Sequence, residues 1–463
     1  MVHHVPTPLS AGARKVVERL QAAGFSALWA GGCVRDMIMG RTPKDYDIAT
    51  NATPDQIMAL FHRAIAVGKA FGVIRVMLDE LEFEVATFRK DHAYRDGRHP
   101  ETVSFTDEKN DALRRDFTVN ALFFDPLSEK VHDHVGGQAD IAARLIRAVG
   151  NPDDRFAEDH LRILRAIRFA ATLDFTLDPG TYAAIQKHTA SLGKISAERI
   201  QQELTRTLLE SARPGDALGM MLNAGLLPVI LPEVAALRGQ AQPPQFHPEG
   251  DVFTHTMMML NAMRQPSLQL AYAALLHDIG KPPTAQLTDG RIRFNQHATR
   301  GAAMAEAILK RLRLPSDDIK AIVFCVGNHM RFMDVRKMRR ATLHRLVGAS
   351  TFPLELELHR LDCAASHGDL QNFDFLQAFE REFRALPVLP KPWVTGHDIM
   401  ALGVANGREI GRWKKLAYDA QLEKFVADRE TALAWLKKLI AAKHEFFAGR
   451  EIHSAPRRGD SRS

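Results

Sequence analysis

Long apolar runs are missing from this chain. No stretch approaches the roughly eighteen consecutive apolar residues of a membrane-spanning helix, so no membrane partner is expected. Cysteine is scarce: Cys33, Cys325 and Cys363 are widely spaced and odd in number, so no disulfide framework or zinc knuckle is implied. The first twenty residues hold no apolar leader core, and Arg14, Lys15 and Arg19 stand among polar neighbours. These absences lead to the expectation of a cytoplasmic protein. No internal repeat is visible either.

What is present is globular composition, 46% apolar and 25% charged over 463 residues, enough for about three domains. The net charge of +6 fits an ordinary soluble surface and a basic groove for an acidic partner equally well. Oligomeric state is not legible. Local patterning predicts an α+β chain. Strands are expected at 26–31, 44–49, 64–67, 73–79 and 82–88, with helices through Met39 and over 54–62. Helical periodicity follows near 137–148, 156–173, 181–190, 196–211 and 215–225. The segment 236–250, with Pro243, Pro244, Pro248 and Gly250, reads as a linker. Further helical blocks cover 251–380 and 397–447, and Ser454–Ser463 reads as a disordered tail.

Asp45 and Asp47 are separated by one residue on a predicted strand, so both carboxylates point to one face. Such a pair can share hard cations such as Mg²⁺ and leave room for phosphate oxygens. Two ions about 4 Å apart stabilise the attacking and leaving oxygens of an in-line displacement. Alone the spacing is weak, since a solvated surface pair has the same spelling. Its setting is more specific. Upstream, Gly31-Gly32-Cys33-Val34-Arg35-Asp36 ends a strand and opens a helix. Glycines there let backbone N–H groups approach a phosphate, and Arg35 adds a fork of donors.

Gly31-Gly32-Cys33-Val34-Arg35-Asp36, Lys44-Asp45-Tyr46-Asp47 and Arg114-Arg115-Asp116-Phe117-Thr118-Val119-Asn120-Ala121-Leu122 together resemble the class II tRNA nucleotidyltransferase/poly(A) polymerase family. Cys33 departs from the small residue usual there. The resemblance implies a polymerase-β-like nucleotidyltransferase α/β head over 1–150 and an all-α neck and body over 151–235. It further implies that Asp45 and Asp47 are catalytic Mg²⁺ ligands. Gly31, Gly32, Arg35 and Arg115 would hold phosphates, and Asp116 with Asn120 the sugar or local structure. Glu82 and Glu84 both lie on a later strand, and Glu84 is the candidate for a third carboxylate.

Glu158-Asp159-His160-Leu161-Arg162-Ile163-Leu164-Arg165-Ala166-Ile167-Arg168-Phe169-Ala170 resembles a further motif of that family. On one continuous helix, Glu158, Asp159, Arg162 and Arg165 would share about a third of the circumference; salt bridges on an amphipathic helix explain the same pattern. The chemistry suits base selection. Asp159 can accept from the exocyclic amine of C or A, and Arg162 can donate to the adjacent ring nitrogen, whereas U and G present the opposite pattern. About 1–3 kcal/mol of discrimination would follow. Arg165 is assigned to a phosphate or to bracing Asp159, and the helix opening at Ser196-Ala197-Glu198 to support of the pocket.

That chemistry suits CTP and ATP, and the resemblance implies a tRNA 3′ end as the acceptor. Ala66–Ile74, with Phe71-Gly72, resembles the CCA-adding form of the family. Tyr94–Pro100 resembles the flexible loop used for the switch to ATP. Poly(A) addition remains the alternative, and an HD nucleotide hydrolase with an RNA-binding N-terminal domain is the alternative from another class.

His255, His277-Asp278 and Asp362 resemble the H…HD…D signature of HD phosphohydrolases, implying a metal-dependent all-α domain over 250–380 and a helical region over 390–447. Imidazole and carboxylate suit Mn²⁺, Ni²⁺, Fe²⁺ or Zn²⁺. His297 and His329 are candidates for a second metal position and Lys281 for a phosphate contact. His397-Asp398 reads as a chance pair.

Overall fold

The structure is a computed structural model describing residues 6–94, 100–383, 389–405 and 407–451. The chain folds as two units, residues 1–327 and 328–463. No helix among the described residues is long and apolar enough to cross a membrane.

The first unit is built on a seven-stranded sheet. Strands β1 (Ala27–Ala30), β2 (Asp47–Thr50), β3 (Ala64–Gly68), β4 (Val73–Leu78) and β5 (Leu81–Thr87) precede a separate hairpin of β6 (Arg89–Tyr94) and β7 (Pro100–Phe105). The sheet then resumes with β8 (Leu122–Asp125) and β9 (Lys130–Asp133). Its order is β3-β4-β5-β2-β1-β8-β9, with β2 and β5 parallel and the other pairs antiparallel. Period-two alternation sets the faces: Phe83 and Val85 of β5 are buried while Glu82 and Glu84 are exposed. The helix Pro8–Ala22 buries Ala13, Val16, Val17 and Leu20. A Cβ on its Gly12 would stand 2.8 Å from the Phe83 ring, so only glycine allows this approach.

Four sequence expectations give way here. The helix predicted over 137–148 stops at Ala142; Arg144 turns left-handed (φ +53°), and Leu145–Ile146 pairs in parallel with Thr176–Leu177. Tertiary pairing overrides helical periodicity there. The helix predicted over 156–173 is two helices, Pro152–Glu158 and Leu161–Leu173, separated by Asp159 in an extended conformation (φ −139°, ψ 105°). The segment 236–250 is not a bare spacer. Gln242 is buried and its Oε1 accepts from Lys281 Nζ at 2.6 Å, while Glu249 contacts His255. In the 251–380 block a hairpin, Ala285–Thr288 with Arg291–Phe294, interrupts the helices.

Among its described residues the second unit holds two apolar cores. One gathers Phe332, Leu346, Phe352, Leu376 and Phe379; the other gathers Val394, Ile399, Ala417, Val426 and Leu436. In the latter, Thr395 caps the helix Gly396–Ala401, and Asp398 Oδ2 accepts from Thr395 N at 2.8 Å and Oγ1 at 2.7 Å. The His397-Asp398 pair is thus part of a capping box, a structural use of the aspartate. The tail Ser454–Ser463 and the loop Arg95–His99 lie outside the described residues.

Candidate functional site

β1 ends at Gly31, whose φ of +77° is left-handed. A Cβ there would also stand 2.9 Å from Arg115 Nη1, so both backbone and space require glycine. The turn feeds the short helix Gly32–Ile38, which carries Arg35. Arg35 is clamped: its Nη2 donates to Asp36 Oδ1 at 2.7 Å and its Nη1 to Asn120 Oδ1 at 2.6 Å. Cys33 points inward and donates to Ala30 O (3.3 Å), and burial, then the charge of Asp47, pushes its thiol up to about 12. It is inert packing.

β2 begins only at Asp47, later than the strand expected from residue 44; just before it Tyr46 is buried edge-on against Trp29 (centroids 4.6 Å), with Asp45 and Asp47 exposed on either side. The parallel register Ile48↔Val85 brings Glu84 beside Asp47. Burial, the charge of Glu84 and that of Asp45 raise the Asp47 carboxyl to about 6, with Arg115 opposing. Glu82, the other candidate, lies 3.6 Å from Arg75 in an exposed pair. The oxygens of Asp45, Asp47 and Glu84 do not close to within 4.8 Å of one another, as like charges dictate.

A cavity of about 550 Å³ opens over this acid group. Gly31, Gly32, Arg35, Asp45, Asp47, Arg115, Asp116, Asn120, Asp159, Arg162 and Arg165 all line it, and so does Glu84. Nine of the lining residues are arginines and five are acids, so one wall suits a polyanion and the acid group suits a cation.

The arginines are held by carboxylates behind them. Asp116 Oδ2 accepts from Arg165 Nε (2.9 Å) and Nη2 (2.6 Å). Burial alone would raise Asp116, but Arg165 and Arg162 outweigh it and hold the carboxyl at about 2. Arg162 spends donors on Glu158 Oε2 (2.6 Å), Arg155 O (3.2 Å) and Arg114 O (3.0 Å), which fixes the plane of its guanidinium. The extended backbone at Asp159 swings its carboxylate away from the helix axis. Both oxygens accept from Arg199 Nη2, at 3.1 and 2.8 Å. A continuous helix would not place it so. Arg199 was missed by reading the sequence, although it follows Glu198 in the very helix assigned to support. Asp111 was missed too: it lies in no recognisable motif, yet it is buried between Arg114 and Arg115.

A second group lies elsewhere in the first unit. His255, His277 and Asp278 are all buried, and one ligand atom from each lies within 4.8 Å of the others. His277 Nδ1 faces Ala274 O at 2.9 Å, Lys281 Nζ lies 2.6 Å from Asp278 Oδ2, and His297 Nε2 lies 3.6 Å from Asp278 Oδ1. Asp362 is half-buried on the helix Phe352–Ala365 and His329 opens a 3₁₀ turn, both in the second unit.

Residues 27–147 match the family described as Poly A polymerase head domain, 174–237 the Probable RNA and SrmB- binding site of polymerase A, and 252–360 the HD domain. Among curated relatives, the CCA-adding enzyme of Bacillus velezensis is 35% identical over 406 residues, covering 86% of this chain and 89% of that protein. The CCA-adding enzyme of Bacillus subtilis is 32% identical over 401 residues, with the same coverage of 86% and 89%. Among solved structures, the Bacillus stearothermophilus CCA-adding enzyme in complex with CTP aligns over 95% of this chain and 100% of that one, with a TM-score of 0.73 and 25% identity.

Proposed function

This chain belongs to the CCA-adding enzyme family, and from that membership we propose that it is a template-independent tRNA nucleotidyltransferase adding CMP and AMP, from CTP and ATP, to tRNA 3′ ends. The carrying observation is the single cavity in which Asp45, Asp47 and Glu84 face an arginine wall beside Asp159 and Arg162. The three carboxylates supply all-oxygen ligands for divalent cations, with Mg²⁺ the ion such a set favours. Bound cations there would neutralise charge on the attacking and leaving oxygens. The protein's remaining task is positioning.

Arg35 and Arg115 take triphosphate oxygens, with Asn120 and Asp116 keeping their guanidinium groups or the sugar in register. Asp159 and Arg162 read the base edge. Arg199 keeps the Asp159 carboxylate aimed, and Glu158 does the same for the Arg162 plane. The test is direct: incubate the protein with tRNA lacking CCA, Mg²⁺, CTP and ATP, and sequence the 3′ ends. Ends reading CCA are expected, and homopolymeric A tails would sink the reading in favour of poly(A) addition. In the same assay Asp159→Ala should keep some transfer and lose about 10-fold or more of its preference for C and A over U and G, the scale of one bidentate contact.

The His255–His277–Asp278 group is assigned to phosphoester hydrolysis at a transition metal. Buried imidazoles and a carboxylate fit such an ion, which would supply an activated water. Lys281 is placed to meet a phosphate oxygen. With Mn²⁺ or Ni²⁺ added, the protein should hydrolyse 2′,3′-cyclic AMP and dephosphorylate phosphate-ended tRNA. The Asp278→Ala protein should do neither, and equal rates in the two proteins would refute the assignment.

A further inference from the structure

Two side chains beside the His255 group belong to no motif that names them. His247 and Glu249 come from the proline-bearing segment 236–250, which the chain folds back onto the start of the helix Val252–Asn261. The Glu249 side chain is 4% exposed although the residue sits in a turn. Its Oε1 lies 2.9 Å from His247 Nδ1 and 2.7 Å from His255 Nδ1. Its Oε2 is buried and has no hydrogen-bond partner among the described residues. An ionised carboxylate buried with one oxygen unsatisfied is costly unless a cation takes that oxygen. The rings continue the line: His247 and His255 have centroids 5.1 Å apart, His255 and His277 5.4 Å. Ligand atoms of His247, Glu249 and His255 fall within 4.8 Å of one another, as do those of His255, His277 and Asp278, so His255 joins the two trios.

We propose that His247 and Glu249 are ligands of the same transition-metal centre as His255, His277 and Asp278, which makes it a nitrogen-rich centre with two carboxylates. The inference rests on the metal-binding reading of His255, His277 and Asp278. It explains why a segment with linker composition is packed, since folding it down delivers an anion and an imidazole to a buried cation. Three neutral imidazoles with two carboxylates suit Mn²⁺, Fe²⁺, Ni²⁺ or Co²⁺ better than Mg²⁺.

The full-length protein, stripped of metal and kept in excess Mg²⁺ to fill oxygen-only sites, is titrated with Co²⁺. Binding is followed by visible absorption and by metal content after gel filtration. Glu249→Gln and His247→Ala are expected to weaken Co²⁺ binding about 10–100-fold, the usual scale for losing a partner of a metal site. The His247→Ala spectrum should also shift, because a nitrogen donor is lost; a merely structural residue would leave the band in place. Nucleotide addition to tRNA by both variants should match the wild type and so report folding. His247→Gln replaces any variant that fails this check. If Asp278→Ala loses Co²⁺ while the Glu249 and His247 variants bind it with the wild-type affinity and band, the proposal is overturned and the metal reading stands. If the wild type binds no more Co²⁺ than Asp278→Ala, both fall.

Discussion

Replacing Asp47 with asparagine is expected to reduce nucleotide addition by about 10³-fold or more while raising the melting temperature in metal-free buffer at pH 7. The activity loss follows from the cation-ligand role proposed for Asp47, and that magnitude is the upper end for deleting one preorganised charge contact. The stability gain follows from the unfavourable site in which Asp47 stands. Burial, Glu84 and Asp45 raise its carboxyl to about 6, against an ordinary value of 3.8. Between those two values the folded chain binds more protons than the unfolded one, so stability falls as pH rises through this window. At pH 7 the full penalty is present, and an uncharged asparagine removes it. Added Mg²⁺ should reverse the order, stabilising the wild type and leaving the variant unchanged. Primer-extension rates on tRNA lacking CCA, with thermal melts at pH 7 with and without Mg²⁺, decide the matter. A variant retaining a tenth of wild-type activity would remove Asp47 from the catalytic centre. Glu84→Gln should lose less activity, because Glu84 reaches the site from a neighbouring strand.

Much of this was legible in the sequence because short motifs bear on local geometry. Gly31 has to be glycine for a turn its neighbours announce, and Asp45 and Asp47 are exposed on either side of a buried Tyr46. Strand boundaries from β3 to β5 come within about two residues of expectation for the same reason, since apolar alternation is itself what buries Phe83 and Val85. What stayed hidden is partnership over long separations. Arg199 is 40 residues from Asp159, and Glu203 is 35 residues from Arg168, yet both pairs meet at 2.8 Å or less. The break at Asp159 was invisible because helical periodicity continues across it; only the pull of Arg199 and of Leu161 N on the carboxylate shows why the chain leaves the helix there. The segment 236–250 misled in the opposite sense, since proline and glycine describe its backbone but not where its histidine and glutamate go.

Asp111 is the residue whose loss should cost the head most. It is 2% exposed as a side chain and collects donors from three directions. Arg114 reaches it through Nε (2.9 Å) and Nη2 (2.6 Å), Arg115 through Nε (3.2 Å), and the Arg89 amide at 3.2 Å. Arg115 also donates from Nη1 to Asn120 O (3.1 Å), so Asp111 fixes the guanidinium that crosses behind Gly31. Asp111→Ala would leave two guanidinium groups beside an emptied, buried position, a change expected to destabilise by about 3–5 kcal/mol. Asp111→Asn keeps the volume and one acceptor but not the charge, and should fall between. Burial works to raise the Asp111 carboxyl, yet Arg115 and Arg114 prevail and hold it below its ordinary value. A depressed carboxyl contributes stability that is complete above the unfolded value near 3.8 and is lost as pH falls through the folded one. Asp116, held at about 2, acts in the same sense. The wild-type head should therefore lose stability steeply below about pH 4, and the Asp111→Ala protein, already without that contribution, should show a shallower acid limb. Urea unfolding at pH 7 and at pH 3 measures both. A loss under 1 kcal/mol at pH 7, or parallel acid limbs, would mean that water satisfies these arginines as well as Asp111 does. Because Arg115 needs Asp111 to hold its place, the KM for CTP should rise in Asp111→Asn even where the fold survives, linking the buried acid to phosphate binding at the cavity wall.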